Sequence, residues 1–304
     1  MPKWLLILLF IPVGSLAGQT NPLWHGEKIK NYLPDMTWPE VESLLSRTDM
    51  VIVPVTAIEQ HGPQLPIGTD YYSGEELAKL IAQKTDVLVA PVLVPGISPY
   101  HMEFPGTIAL SHDTLQRVYF EAATSLIHHG FRRILFLNSH MGNQYATAFI
   151  ADRINQETPA IAIELGAAVD PLMPREKSTT QFDRHAGVTE TAGALYLFPN
   201  LVDMSKGGKG NLTLPEHLQK ALPEVDSGDR VAAQVFLAEA LKPKATGKHT
   251  STREMSATGV WSLRDTREAT AESGRQATEA FVNAAVAFIE RWKAIRPLAP
   301  LSER

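Results

Sequence analysis

The sequence predicts an α/β fold, a single layered α/β/α domain with a mainly parallel sheet. Short apolar runs alternate with longer segments of helical spacing, an order typical of strands joined by crossover helices. The runs are apolar at successive positions, as in strands buried on both faces. Apolar residues make up 44% of the 304 residues, so a disordered, collagen-like or coiled-coil chain is excluded.

The first half of the chain carries the predicted sheet. A helix begins after Thr37, which can cap it, has Pro39 in its first turn and Glu40 three residues after the cap, and runs to about Ser46. The predicted strands are Met50–Val55, Val87–Val94, Ile134–Leu137 and Ala160–Leu165. The predicted helices between and after them are 72–84, Thr114–His129 (with His112 marking its start and Gly130 its end) and Asn143–Asn155.

The second half is less regular. Residues 166–184 are polar and irregular, and a helix from Val188 to Phe198 is stopped by Pro199. Residues 203–260 are loop-rich with one helix, about Asp229–Leu241, and 268–292 form a long amphipathic helix. The run Gly207–Gly210 lacks a preceding strand and a following Lys-Ser/Thr, so we interpret it as a surface loop and not as a phosphate loop. No linker divides 37–292, which we interpret as one domain, and 293–304 form a tail.

The N-terminus resembles a secretory leader. An apolar run, Trp4–Ile11, follows Lys3 and is too short to span a bilayer. The small residues behind it are Ser15, Ala17 and Gly18. We predict a signal peptide of residues 1–17, cut near Ala17 or Gly18, an N-terminal extension 18–36, and a secreted or periplasmic protein without a stable membrane anchor. A buried helix and an uncleaved anchor are the alternatives.

Charge and cysteine content limit the function. The net charge is −5, which provides no basic field for nucleic acid. The chain has no cysteine, so thiol chemistry and cysteine-ligated zinc are excluded. Any metal site must therefore use His, Asp and Glu as ligands, and the ten histidines are enough for such a site.

Candidate ligands follow the first and third predicted strands. Glu59, His61 and Asp70 lie in a glycine- and proline-rich loop, and Glu59 and His61 project to the same side if the chain is extended. His140 follows the third strand in Asn-Ser-His-Met-Gly-Asn. Loops at the carboxyl ends of parallel strands meet at one sheet edge, where ligands usually bind. Carboxylate oxygens and imidazole nitrogens together suit Zn²⁺, Mn²⁺ or Fe²⁺, so we interpret these residues as metal ligands. The alternative interpretation is a polar surface loop without a metal.

Two other segments carry candidates. His185 precedes a predicted helix and Glu190 lies in its first turn, where it either faces the site or complements the helix dipole. His101 follows the second strand and either lines the substrate mouth or is a solvated loop histidine.

The segments EQHGPQLPIGTD (59–70), NSHMGN (138–143) and HAGVTET (185–191) resemble the creatininase (creatinine amidohydrolase) family. Weaker matches, such as FPGTIALS at 104–111, extend the resemblance from about Thr37 to Trp292. The resemblance implies a two-metal amidohydrolase, usually a hexamer, acting on a small-molecule amide. We therefore expect a homo-oligomer with two divalent ions, Zn²⁺ or Mn²⁺ with Fe²⁺ also suitable.

The resemblance also implies residue roles. Glu59, Asp70 and His140 would hold one ion; His61 and Asp70 would help hold the second, with Asp70 bridging. His185 would be the catalytic residue that transfers a proton to the leaving nitrogen. Creatininase itself has a glutamate ligand where this chain has Gly142, and relatives with glycine there carry one that matches Glu190, which we take as the fifth ligand. The expected substrate-binding residues are His101, Met141 and Asn143.

Three functions remain open from the sequence. The leading one is hydrolysis of a small cyclic or linear amide; Gly142 and Gln64, where many relatives have histidine, weigh against creatinine as the substrate. The second is hydrolysis of another bond on the same site, in a small peptide, a formamide or a carbon ring. The third is a non-catalytic periplasmic binding protein. A serine hydrolase is disfavoured because the chain has no G-x-S-x-G.

Overall fold

The structure, a computed structural model, describes residues 21, 26–93, 95–173, 182–240 and 251–303. The predicted signal peptide, residues 1–17, lies outside this part of the chain. No helix among the described residues is both long and apolar enough to cross a membrane.

A parallel sheet flanked by helices forms the first half of the chain. Its elements are α1 (Trp38–Leu45), β1 (Met50–Val55), α2 (Thr69–Lys84), β2 (Leu88–Val89), α3 (His112–His128), β3 (Arg133–Asn138), α4 (Gln144–Glu157), β4 (Ile161–Glu164) and α5 (Leu165–Val169). The sheet order is β2-β1-β3-β4, and each neighbouring pair is parallel. The predicted α/β class is confirmed.

Both faces of the sheet are covered, which explains why β1 is apolar at successive positions. Val51, Val53 and Val55 belong to one buried cluster with residues of α3 and α4. Met50 and Ile52 alternate with them and belong to a second cluster with residues of α2 and the C-terminal helix. A strand whose two faces both meet apolar helices gains burial from every side chain.

The second half builds a smaller structure against this sheet. Its elements are β5 (Asp183–His185), α6 (Val188–Leu197), α7 (Glu216–Asp226), α8 (Arg230–Ala240), α9 (Thr252–Met255), β6 (Trp261–Ser262) and α10 (Ala271–Ile295). Strands β5 and β6 are antiparallel. A separate apolar cluster that includes Phe182, Leu218, Phe236 and Trp261 fixes α7 and α8 against these two strands.

Several predicted boundaries were wrong. The predicted strand Val87–Val94 pairs only at Leu88–Val89, because the chain leaves the sheet at the proline that follows, Pro91. The region 203–260 contains α7, α8 and α9 instead of one helix; α7 was missed because it has Pro223 in its interior. Strands β5 and β6 have three and two residues, too few for a recognisable pattern.

Candidate metal centre

The ends of β1 and β3 bring the first candidate residues together. Val55, the last residue of β1, is paired with Asn138, the last residue of β3, so the loops that follow leave the same edge of the sheet. Asp70 lies in the first turn of α2, and Ser139 donates a hydrogen bond from Oγ to the Asp70 carbonyl at 2.8 Å. The loop after β3 is thereby fixed to the start of α2.

One group of possible ligands consists of Glu59, Asp70 and His140. Nδ1 of His140 lies 3.3 Å from Oε1 of Glu59 and 3.1 Å from Oδ2 of Asp70. All three residues are buried, with 1%, 5% and 5% of their surfaces exposed, respectively. Their ligand atoms lie within 4.8 Å of one another, a spacing that allows a single divalent ion to contact all three.

A second group lies on the other side of Asp70. Nε2 of His61 lies 3.3 Å from Oδ1 of Asp70 and 3.6 Å from Oε2 of Glu190. Asp70 therefore turns one carboxylate oxygen toward each histidine. Nδ1 of His185 lies 3.6 Å from Oε1 of Glu59, and Glu59, His61 and His185 form a further possible ligand group.

Backbone carbonyls orient the three histidine rings. Nε2 of His140 lies 3.0 Å from the Ile97 carbonyl, and Nδ1 of His61 lies 3.1 Å from the Glu59 carbonyl. Nε2 of His185 lies 2.8 Å from the Gln60 carbonyl. A carbonyl only accepts, so Nε2 of His140 and Nδ1 of His61 carry the hydrogen and the opposite nitrogen of each ring faces the cluster. Nε2 of His185 also lies 2.9 Å from the Gln60 side-chain nitrogen, a donor, so its two contacts select opposite tautomers.

Unpaired buried atoms test whether the residues suit a metal. Oε2 of Glu59 is buried without a hydrogen-bond partner, and Nε2 of His61 and Oδ2 of Asp70 have only the ion-pair contacts within the cluster. Leaving such atoms unpaired costs about 1–3 kcal/mol each, so native proteins rarely do so without another partner. Carboxylate oxygens and imidazole nitrogens converge here, and this donor set fits Zn²⁺ or Mn²⁺.

The electrostatics show that a positive charge is favoured at the centre of the cluster. Burial opposes the charged form of His61, but the carboxylates of Asp70, Glu190 and Glu59 together outweigh it and raise the pKa of His61 to about 10. Burial likewise opposes charge on His140, whose pKa is nevertheless raised by Glu59 and Asp70. His185 differs: burial, together with the charge of His61, lowers its pKa to about 4, so its ring is neutral near pH 7.

The cluster lies at the bottom of a cavity of about 240 Å³. Met141, predicted to bind substrate, lines this cavity and is 56% exposed. Other lining residues were not predicted, because they come from the irregular second half or from loops without a motif: Tyr100, Ser139, Arg184, Leu237, Thr252 and Trp261. Thus α8, α9, β5 and β6 cover the candidate ligands.

The other two predicted substrate-binding residues are buried. His101 is 2% exposed, with Nε2 3.4 Å from Oε1 of Glu59 and Nδ1 2.7 Å from Oγ1 of Thr252. It also lines the cavity, beside the candidate ligands Glu59, Asp70 and His140. Asn143 is fully buried and does not line the cavity: its amide accepts from the Ile97 N–H and donates to the Thr56 carbonyl, both at 2.9 Å. We therefore assign Asn143 no contact with substrate.

The two departures from the family pattern have structural counterparts. A Cβ atom at Gly142 would lie 2.3 Å from the Ile97 carbonyl oxygen and 2.4 Å from Nε2 of His140, so this backbone has no room for a side chain there. Glu190 instead supplies a carboxylate from α6. Gln64 donates from Nε2 to the Ala186 carbonyl at 2.8 Å, which connects the loop after β1 to the segment that carries the proton-transfer candidate.

Comparison with known proteins identifies the family. The profile described as creatininase, creatinine amidohydrolase, matches residues 34–289. The chain belongs to the creatininase family. Its relatives are hydrolases. It is 30% identical over 256 residues to the mycofactocin precursor peptide peptidase of Mycolicibacterium smegmatis, covering 82% of this chain and 88% of that one.

Two further relatives have different names. The creatinine amidohydrolase of Pseudomonas putida is 28% identical over 197 residues, which cover 58% of this chain and 75% of the relative. The 3-dehydro-scyllo-inosose hydrolase of Thermotoga maritima is 29% identical over 180 residues, which cover 56% of this chain and only 57% of the relative. The creatininase family therefore includes hydrolases that are named for different substrates.

Solved creatininases share the fold. A manganese creatininase superposes with a TM-score of 0.63 at 21% identity, covering 88% of this chain and 99% of the other. A mutant creatininase of a zinc–zinc type gives 0.64 at 21% identity, covering 90% and 100%.

Proposed function

We propose that this creatininase-family hydrolase is a metal-dependent amidohydrolase that opens the C–N bond of a small cyclic or linear amide with two divalent ions. The observation that carries the proposal is the position of Asp70, whose two carboxylate oxygens lie 3.3 Å from Nε2 of His61 and 3.1 Å from Nδ1 of His140. A carboxylate shared in this way suits a pair of ions. The zinc and manganese forms of the solved creatininases support these two metals.

The residues divide into two ligand sets. Glu59, Asp70 and His140 would hold one ion, and His61, Asp70 and Glu190 the other. When bound, such ions polarise an amide carbonyl and lower the pKa of water towards about 7. The anionic side chains Glu59, Asp70 and Glu190 offset most of the charge of two divalent ions.

His185 is the proton-transfer residue in this proposal. In the tautomer whose Nε2–H donates to the Gln60 carbonyl, Nδ1 is unprotonated and directed at the cluster. Because its pKa is lowered to about 4, the ring is neutral near pH 7, so Nδ1 takes a proton from the attacking water and then passes it to the leaving nitrogen of the amide. The backbone contact keeps the same nitrogen available in every turnover.

A second candidate function is hydrolysis of another bond on the same site. The inosose hydrolase and the peptidase among the relatives support it. The cavity of about 240 Å³ is smaller than the ~300–1,000 Å³ typical of sites for drug-sized ligands, so the reacting part of the substrate is small in either case.

The decisive experiment combines elemental analysis with turnover. We expect the purified protein to contain about two zinc or manganese ions per chain and to hydrolyse members of a panel of small amides, creatinine included. A chelator should abolish activity, and either metal should restore it. Metal content near zero after gentle purification, or ligand binding without turnover on amides, peptides and cyclic ketones, would contradict the proposal and favour a binding protein.

Two predictions from the sequence are independent of this chemistry. We propose that residues 1–17 are removed from a secreted or periplasmic protein, and that the mature chain forms a homo-oligomer, a hexamer by resemblance. N-terminal sequencing of exported protein and light scattering test these two points separately.

A further inference from the structure

A second cavity, of about 350 Å³, adjoins the metal cavity. Arg184 in β5 lines both cavities, so the two share this residue as a common wall. Arg230, the first residue of α8, and Arg264, which follows β6, also line the second cavity. Arginine is thus concentrated on one side of the metal centre.

The two acidic residues of the second cavity accept hydrogen bonds from backbone N–H groups and not from the arginines. The Asp183 carboxylate accepts from the backbone N–H groups of Val188 at 3.0 Å and Thr189 at 2.9 Å, which begin α6. The Asp229 carboxylate accepts from the N–H groups that begin α8, at 2.8 and 3.0 Å. Both carboxylates are used to cap helices.

Two of the three arginines are available for a ligand. Arg264 forms an ion pair with Glu268 at 2.9 Å. In the part of the chain that the structure describes, Arg184 and Arg230 have no carboxylate within ion-pair distance. Arg184 is only partly exposed, and a guanidinium in such a position gains more from an anionic partner than one in open solvent.

We infer that this arginine-lined cavity, called here the anion pocket, binds a free carboxylate of the substrate while the amide of the same molecule lies at the metal cluster. Arg184 is the principal contact and Arg230 the second. The inference rests on the proposed amide hydrolysis and specifies its substrate class: amides that carry a carboxylate a few bonds from the scissile bond, such as peptide C-termini and N-acyl amino acids. A guanidinium matches a planar carboxylate with two parallel hydrogen bonds.

Binding of matched probes tests the inference. The probes are succinamic, glutaramic and adipamic acids and the corresponding diamides, which have the same amide and differ by one charge; the three lengths sample the span between the two cavities. Calorimetry on the zinc-loaded protein should show at least one acid binding about tenfold more tightly than its diamide. In the double variant Arg184→Gln/Arg230→Gln, this preference should fall to about twofold or less while the zinc content stays unchanged.

The control variant replaces an arginine that lies away from both cavities. Arg117→Gln removes one positive charge from an exposed position of α3 that lines neither cavity, and should preserve the preference. Equal binding of acid and diamide by the wild-type protein would overturn the inference, because the carboxylate then has no binding site. A preference that survives in the double variant would also overturn it, because the carboxylate then binds to zinc and not to the arginines. Failure of the proposed function would give a different result, in which no amide is hydrolysed although the acid still binds more tightly than its diamide.

Discussion

Oδ2 of Asp70 lies 3.1 Å from Nδ1 of His140, although one residue begins a helix and the other follows a strand of the parallel sheet. The opposite oxygen of the same carboxylate faces His61. Asp70 is therefore the point at which the two candidate ion sites meet, and its removal affects both.

We expect Asp70→Asn to lose both ions and more than about 100-fold of any amidase activity, since removing a residue that only hydrogen-bonds a metal ligand already costs about 10–100-fold. Elemental analysis of the purified variant measures the first effect and turnover the second. Asp113→Asn, at an exposed position in the first turn of α3, is the matched control and should keep both. Retention of two ions by Asp70→Asn would exclude its bridging role.

Metal binding should release protons. In the metal-free protein the pKa of His61 is raised to about 10 and that of His140 is also raised, so both rings carry an extra proton at pH 7. A metal ion binds only the neutral imidazole. Zinc binding at pH 7 should therefore release about two protons, and apparent affinity should increase as pH rises towards the raised pKa values.

Calorimetry in buffers of different ionisation enthalpy counts these protons directly. The variant His61→Gln should release about one fewer proton, whereas His112→Gln, at the exposed start of α3, should behave like the wild type. Zinc binding with no proton release at pH 7 would show that the two rings are neutral before the ion arrives.

His185→Gln separates a proton-transfer residue from a ligand. If His185 transfers the proton, the variant keeps both ions but kcat falls by about 10²–10⁴-fold. Elemental analysis and turnover on the same preparation decide the question. Loss of one ion together with activity would instead place His185 among the ligands, as its position near Glu59 and His61 permits.

The residues near the sheet were predictable because their position follows from topology. Glu59, His61 and His140 follow apolar strands, and parallel strands present their carboxyl ends at one edge, so the sequence alone predicted that they meet. The capping residue Thr37 similarly predicted the start of α1 at Trp38. In these places a local pattern and the global fold require the same structure.

The cavity wall was not predictable for a physical reason. Arg184, Thr252 and Trp261 reach the site through two very short strands and one turn of helix, which are stabilised by tertiary packing with residues such as Phe236. Neither propensity nor periodicity carries a signal over so few residues. His101 lines the same cavity and contacts Thr252, which lies 151 positions away in the sequence, and no local pattern predicts such a contact.

Gly142→Ala tests whether the backbone beside His140 tolerates any side chain. The added Cβ would meet the Ile97 carbonyl oxygen at 2.3 Å and Nε2 of His140 at 2.4 Å, the same two atoms that form the contact orienting the ring. Because one obstacle is backbone, relief requires movement of the loop, and we expect a loss of about 1–3 kcal/mol in the free energy of unfolding. Urea unfolding measures this loss, and zinc affinity should fall with it because His140 is displaced.

Gly193→Ala is the matched control for that substitution. Gly193 lies inside α6 and has no atom within 4 Å of the position of an added Cβ, so the helix gains conformational stability without a clash. We expect this variant to be more stable by about 0.5–1 kcal/mol, with unchanged zinc affinity. If the two variants unfolded at the same urea concentration, the position of Gly142 would tolerate a side chain. Steric exclusion there would then not explain why this chain uses Glu190 of α6 in place of a glutamate at position 142.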